Sequence, residues 1–408
     1  MKKVLQMWRN KNLWILITGV LGAELGLWMG LIGNLEFLQT HVASHALQAL
    51  LLISGPVVAL LIAPYAGSAV DRYDKKKILL VTGAVRIIGV GSMFLAMWSG
   101  SVSLMVVYSL CIACSAGFYI PAVRALIPRV TDKEHLMQAN ALYFNVLTTA
   151  RIVGTVLAGT LLTILSLEML YSCAIIGYSL LLLFTLFLRV QESTRQREPN
   201  QKKSRGTFRE VLPVISGNSL VKLVMISQVI PMIFIGGFNL IVMEISVLQG
   251  DPTIKGYLYA IEGIALILIG FFGKRLAQGR NVTVLIGVIC SVVGLSQLLL
   301  FFAHSHWITM LSFALFGMAS GIYFPLINTI FQQNIPEEFH GRFFSFSNML
   351  ERVVMNCTIL LIGVLFDWVG LELALAGIGV SALLLTALLT LRMKRYAGTD
   401  MKQTSAVT

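Results

Sequence analysis

Apolar residues fall in twelve long runs separated by short charged or turn-rich punctuation: near 12–38, 46–70, 77–98, 102–126, 137–165, 168–189, 217–248, 253–273, 281–303, 306–331, 341–366 and 369–391. Most come in blocks of roughly 20 to 28 residues, about what a helix rising 1.5 Å per residue needs to cross a ~30 Å hydrocarbon core. Six runs precede a polar stretch and six follow it. The pattern predicts an all-α polytopic membrane protein of twelve transmembrane helices in two six-helix bundles. The implied divisions are an N-terminal bundle over 1–190, a basic linker over 191–213, a C-terminal bundle over 214–395 and a tail over 396–408. The first run continues past Leu31, too long for a signal-peptide core, and no small-residue cleavage site follows, so it is expected to remain as helix 1.

Composition supports this reading, with 57% hydrophobic and 12% charged residues, where soluble domains carry about a quarter charged. A net charge of +12 in a soluble protein would suggest nucleic acid, but here Lys and Arg sit between apolar runs, where they set topology. Lys2, Lys3, Arg9 and Lys11, then Arg72 and Lys75 to Lys77, then Arg195, Arg197, Lys202, Lys203, Arg205 and Arg209 mark one side; the opposite loops carry only Lys255. No nucleic-acid partner is expected, and both termini are placed in the cytoplasm of a multi-pass cell-membrane protein. The basic linker reads as a solvated joint that could also meet anionic lipid head groups. All five cysteines lie in apolar runs, so no disulfide is expected, and the lone Cys111/Cys114 CxxC reads as packing, not as a metal site. No cofactor is implied.

The halves repeat. Gly117, Tyr119, Pro121 and Glu134 recur as Gly321, Tyr323, Pro325 and Glu338, all displaced by 204 residues, half the chain. An even number of helices separates the copies, so this is a parallel repeat of the kind that rocks about a midplane site.

Between helices 2 and 3 stands Gly67-Ser-Ala-Val-Asp71-Arg72-Tyr73-Asp74-Lys75-Lys76-Lys77. Gly67 permits close approach of a neighbouring helix, and Asp71 at the membrane edge can pair with Arg or face a helix N-terminus; the plainer reading is a positively charged cytoplasmic loop. The stretch resembles the signature loop of the major facilitator superfamily, with Asp74 where the family usually has glycine. The equivalent loop of the second half, Gly270, Lys274, Arg275 and Arg280, lacks the acid. Gly117-Phe-Tyr-Ile-Pro121-Ala-Val-Arg124-Ala-Leu-Ile-Pro128, with Glu134-His-Leu136 and Ala139-Asn140-Ala141, is similar to the branch containing macrolide efflux proteins and the enterobactin exporter. Arg151-Ile-Val-Gly154-Thr155-Val-Leu-Ala158-Gly159 resembles the glycine-rich stretch of drug antiporters, with Thr155 replacing a frequent proline. The resemblance implies alternating access by a monomer among membrane lipids. A small amphiphilic substrate would move outward in exchange for protons, and Gly67, Asp71, Arg72, Lys76 and Lys77 would gate the cytoplasmic mouth.

Charges inside spans are few: Glu24 and Glu36 on helix 1, Arg86 on helix 3, Arg124 on helix 4, Arg151 on helix 5, Glu244 on helix 7, Glu262 on helix 8, Glu351 and Arg352 on helix 11. Each costs about 2.5 kcal/mol or more if it faces lipid at the centre, so they should face a cavity or one another. Glu24 falls near the midplane and is the first candidate for proton coupling, with Glu262 second. The competing reading is permanent neutralisation of Glu24 by Arg86 or Arg151. Trp28, Met29, Asn34, Phe234, Asn239 and Tyr257, beside Tyr259, are candidate cavity residues, since Met and aromatic surfaces repack around varied lipophilic cargo; the same residues also suit plain helix packing.

HExxH, GxSxG, Walker and Rossmann signatures are absent, which argues against an enzyme and against nucleotide-driven transport. A siderophore or other native metabolite is an alternative cargo. A membrane receptor or lipid scramblase on the same fold is the alternative of another class. The Asn281-Val-Thr283 sequon falls on the cytoplasmic side and is set aside.

Overall fold

The computed structural model describes residues 10–132, 135–164, 166–190, 211–277, 281–336 and 339–405. The chain divides into two compact units, one of Met1–Gln196 with Asp251–Ala260, the other of Arg197–Gly250 with Ile261–Thr408. Most of the expected linker, 191–210, lies outside the described residues, as do Glu134 and Glu338 of the repeat.

Unit 1 contains α1 (Lys11–His41), α2 (His45–Arg72), α3 (Lys75–Ser99), α4 (Val102–Val130), α5 (Leu136–Leu161) and α6 (Leu167–Phe187). Polar side chains start the helices by accepting otherwise unsatisfied amides: Asn10 from Leu13 N, Ser44 from Leu47 N, Asp74 from Lys76 N and Lys77 N. Gly100, at φ 66°, ends α3 in the left-handed conformation that glycine adopts without strain. α1 packs on α5 and α6, α3 on α4 and α6, and α2 on α4. The most apolar stretch of α1 is 61% buried and that of α2 only 17%, which makes α1 the inner helix. Small residues permit this: a Cβ on Gly22 or Gly26 would lie 2.9 Å from the Gly177 or Ala174 carbonyl of α6.

Unit 2 contains α7 (Val211–Gly217), α8 (Ser219–Ser227), α9 (Val229–Gln249), the later residues of α10 (Ile254–Ala277), and α11 (Val282–Leu299) with a 3-10 turn at Leu300–Phe302. It ends with α12 (His306–Asn334) and α13 (His340–Ser405). α13 runs as two helices about Gly370 (φ 78°, ψ 169°). It packs on α9 and α11, and α11 packs on α12. The expected run 217–248 breaks at Gln228, because Pro231 has no N–H to offer the Ser227 carbonyl and its ring crowds that oxygen. The expected tail, 396–408, continues the helix to Ser405. Asn281 of the sequon caps α11, its side chain accepting from Thr283 N at 2.9 Å.

Ten helices among the described residues are long and apolar enough to cross a membrane; the last, Phe346–Arg392, counts twice across Gly370. With α10, whose side chains are described only to Gly270, the spans number twelve.

Candidate functional site

The inner helix of unit 1 carries Glu24, 8% exposed, and α3 carries Arg86, 1% exposed. Arg86 Nε donates to Ser115 Oγ at 2.8 Å, and Ser115 Oγ donates in turn to the Thr82 carbonyl at 3.0 Å. Arg86 Nη1 reaches the Ala23 carbonyl at 3.5 Å. The guanidinium lies over the rings of Tyr119 and Tyr178, at 4.4 and 5.4 Å from their centroids. Arg86 and Glu24 interact electrostatically, yet no hydrogen bond or ion pair joins them. The guanidinium is therefore held by neutral groups, and among the described residues none engages the oxygens of the acid beside it. Arg124 is exposed and neighbours Tyr143 on α5. Arg151 is half-buried, and its carbonyl accepts from Thr155 Oγ1 at 2.8 Å.

At the opposite end of α1 from its Asn10 cap, Glu36 Oε2 meets Lys255 Nζ at 2.6 Å; the lysine side chain is fully buried and the glutamate's is 22% exposed. Lys255 belongs to the 251–260 segment that packs into unit 1. That segment comes close enough because two glycines meet: a Cβ on Gly159 would lie 3.0 Å from Gly256 N, and one on Gly256 would strike the Thr155 carbonyl. The glycine-rich stretch of α5 is thus a backbone contact on one side, and on the other Gly154 sits against Trp28 and Leu25 of α1. Trp28 stands edge-on to Tyr259 with centroids 6.1 Å apart. Met29 is buried, Asn34 Nδ2 donates to Ser109 Oγ at 3.4 Å, and Tyr257 is exposed.

In the signature loop, Gly67 and Asp71 lie in the last turns of α2, and the Asp71 side chain is outside the described atoms. Arg72 and Lys77 are exposed. Lys76 Nζ donates to the Leu186 and Leu188 carbonyls at 2.8 and 2.9 Å, capping the C-terminus of α6. Asp74, which departs from the family pattern, is the N-cap of α3.

In unit 2, Phe234 is fully buried, stacked on Phe316 at 4.0 Å and edge-on to Phe313 and Phe238. Glu262 is buried, with its carbonyl pressed against Gly317 of α12; Glu244 and Asn239 are half-buried. Glu351 is half-buried on α13, and its Oε1 accepts from Gln228 Nε2 at 2.8 Å and Ser347 Oγ at 3.4 Å. Ser227 Oγ lies 2.7 Å from Tyr323 Oη and donates to the Val224 carbonyl, so the tyrosine is the donor between them.

Sequence reasoning missed the partners Ser115, Tyr178 and Gln228 and the pairing of Glu36 with Lys255. Tyr119 was visible in the repeat, and Lys255 as the isolated cation of the outer loops.

The sequence profile described as Major Facilitator Superfamily matches residues 10–355 and 234–406. The chain is similar to an uncharacterized MFS-type transporter, YfiS, of Bacillus subtilis, at 23% identity over 412 residues, covering 96% of this chain and 95% of the relative. It is 22% identical to macrolide efflux protein A of Streptococcus pyogenes over 330 residues, 76% of this chain and 78% of that one. The crystal structure of nucleoside transporter NupG superposes with a TM-score of 0.71 at 13% identity, covering 94% of this chain and 99% of the other. That last likeness is one of fold.

Proposed function

Since the chain belongs to the major facilitator superfamily, whose members are membrane transporters and not enzymes, we propose that it exports amphiphilic compounds, macrolides among them, in exchange for protons. Export proceeds by alternating access of a monomer in the cell membrane, with both termini cytoplasmic and the Asp71 loop gating the inner mouth. The relative that is a macrolide efflux protein supports the cargo class.

The observation that carries the reading is the separation between Glu24 and the groups that hold Arg86. When Glu24 takes up or releases a proton, Arg86 keeps Ser115, the Ala23 carbonyl and two aromatic faces. The change of charge on the acid therefore takes no hydrogen bond from the guanidinium, which it would do in a shared bidentate pair. Proton-coupled exchange needs an acid of this kind: buried, close to a fixed cation, and not consumed by it.

The test is compound-dependent proton movement in proteoliposomes holding an internal pH dye, with a macrolide, a lipophilic cation and a catecholate siderophore as probes. The macrolide or the cation should drive proton flux in the wild type and not in Glu24→Gln. Flux that survives the substitution removes Glu24 from the coupling role, and absence of flux with every compound refutes proton exchange.

A further inference from the structure

The repeat displacement of 204 residues also relates the polar cores of the two units. It carries Glu24 to Gln228, Arg86 to Cys290, Tyr119 to Tyr323 and Tyr143 to Ser347. In unit 1, Tyr119 and Tyr143 lie within electrostatic reach of both Glu24 and Arg86. In unit 2, Tyr323 lies within reach of Cys290 and Glu351, and Gln228 and Ser347 both donate to Glu351. The same register thus gathers a polar cluster in each unit, but the fixed cation of the first is a thiol in the second.

Glu351 is an acid in a membrane span whose described neighbours offer it no ion pair. Gln228 comes from the kink between α8 and α9, Tyr323 from α12, Cys290 from α11, and Ser347 and Arg352 from α13 itself. Arg352 is within electrostatic reach of Glu351, but it is exposed and, as the next residue, projects about 100° round the helix, so the two form no ion pair. Two donors converge on Oε1, and among the described residues Oε2 accepts no hydrogen bond. An anion in such surroundings is costly unless a cation completes it.

We propose that Glu351, oriented by Gln228 and Ser347, is a cation-binding subsite of unit 2 that receives the protonated amine of an amphiphilic cargo. The subsite rests on the export reading above, but it is read by binding without any gradient. Proton exchange at Glu24 belongs to the other cluster, so cargo charge and coupling proton occupy different acids.

The experiment uses the purified full chain and fluorescence anisotropy with rhodamine 6G, a lipophilic cation bearing N–H groups, and an uncharged dye of similar size, Nile red. Glu351→Gln should weaken rhodamine 6G at least tenfold and leave Nile red within twofold. Gln228→Leu should weaken rhodamine 6G by a smaller factor. Unchanged rhodamine 6G affinity in Glu351→Gln overturns the proposal, including the case in which proton flux is lost and Glu351 proves to be the proton site. Should both dyes be lost together, Glu351→Asp decides: recovered rhodamine 6G binding supports the subsite, and continued loss overturns it. Failure of the Glu24 test alone leaves these binding results standing.

Discussion

At matched positions of the repeat, unit 1 places Glu24 and Arg86 around Tyr119, while unit 2 places Gln228 and Cys290 around Tyr323 and brings in Glu351 from α13. The backbone plan and the tyrosine are common to both, and what differs is where charge resides. In unit 1 a cation is built into the protein, so a neighbouring acid can change state without losing all its compensation. In unit 2 neutral donors hold the acid and its exposed neighbour Arg352 makes no ion pair with it, so under our proposal the closer compensating charge arrives with the cargo. The two similar cradles differ in chemistry chiefly at one matched position, arginine in unit 1 and cysteine in unit 2.

The largest way to break this comparison is to remove the cation of unit 1. Arg86→Met should destabilise the protein by about 3–5 kcal/mol, because Glu24 loses its buried countercharge and Ser115 its donor. Thermal unfolding in detergent should show the loss, and adding Glu24→Gln should recover part of it; no recovery would mean that the two are not coupled.

Glu36→Gln takes the 2.6 Å ion-pair partner from Lys255 in the same unit while the attraction of Asp251 stays, and should cost about 3 kcal/mol, whereas Glu36→Leu with Lys255→Met should return near the wild-type melting temperature. In unit 2, Gln228→Leu leaves Glu351 with one donor fewer and should cost about 1–2 kcal/mol, read as a shift of the same transition. Smallest are the capping residues of α3 and α6: Asp74→Ala and Lys76→Ala should each cost about 1 kcal/mol. Hydrogen exchange at the start of α3 and the end of α6 should rise in these variants while that of unit 2 stays unchanged.

Much of this plan could be read from the chain. Apolar run length fixed the spans because the hydrocarbon core has one thickness, and the tyrosine, glycine and proline of the repeat survive at a constant displacement. The correspondence of Arg86 with Cys290 could not be found by looking for identities, since it is the difference that carries the meaning. Pro231 announced the kink, but nothing local said that Gln228 would turn toward a helix 123 residues away. Asp74 read as a departure from a family pattern and proves to cap a helix, a role that any short loop between helices can require. Phe234, a candidate cavity residue by its place on the seventh expected span, lies fully buried in an aromatic cluster, and hydrophobicity alone does not separate a lining from a filling.

The ion pair of Glu36 with Lys255 also sets a condition on how the protein is made. The two residues are 219 positions apart, and the segment that completes unit 1 lies beyond the whole of α9. At ribosomal rates of about 5–20 residues per second, the acid on α1 waits roughly 10–45 s for its lysine to be synthesised. During that interval it must be held by the insertion machinery, by lipid head groups or by a proton. Completion of the first unit is therefore an event of late translation, and a chain cut after Gly250 would leave it unfinished.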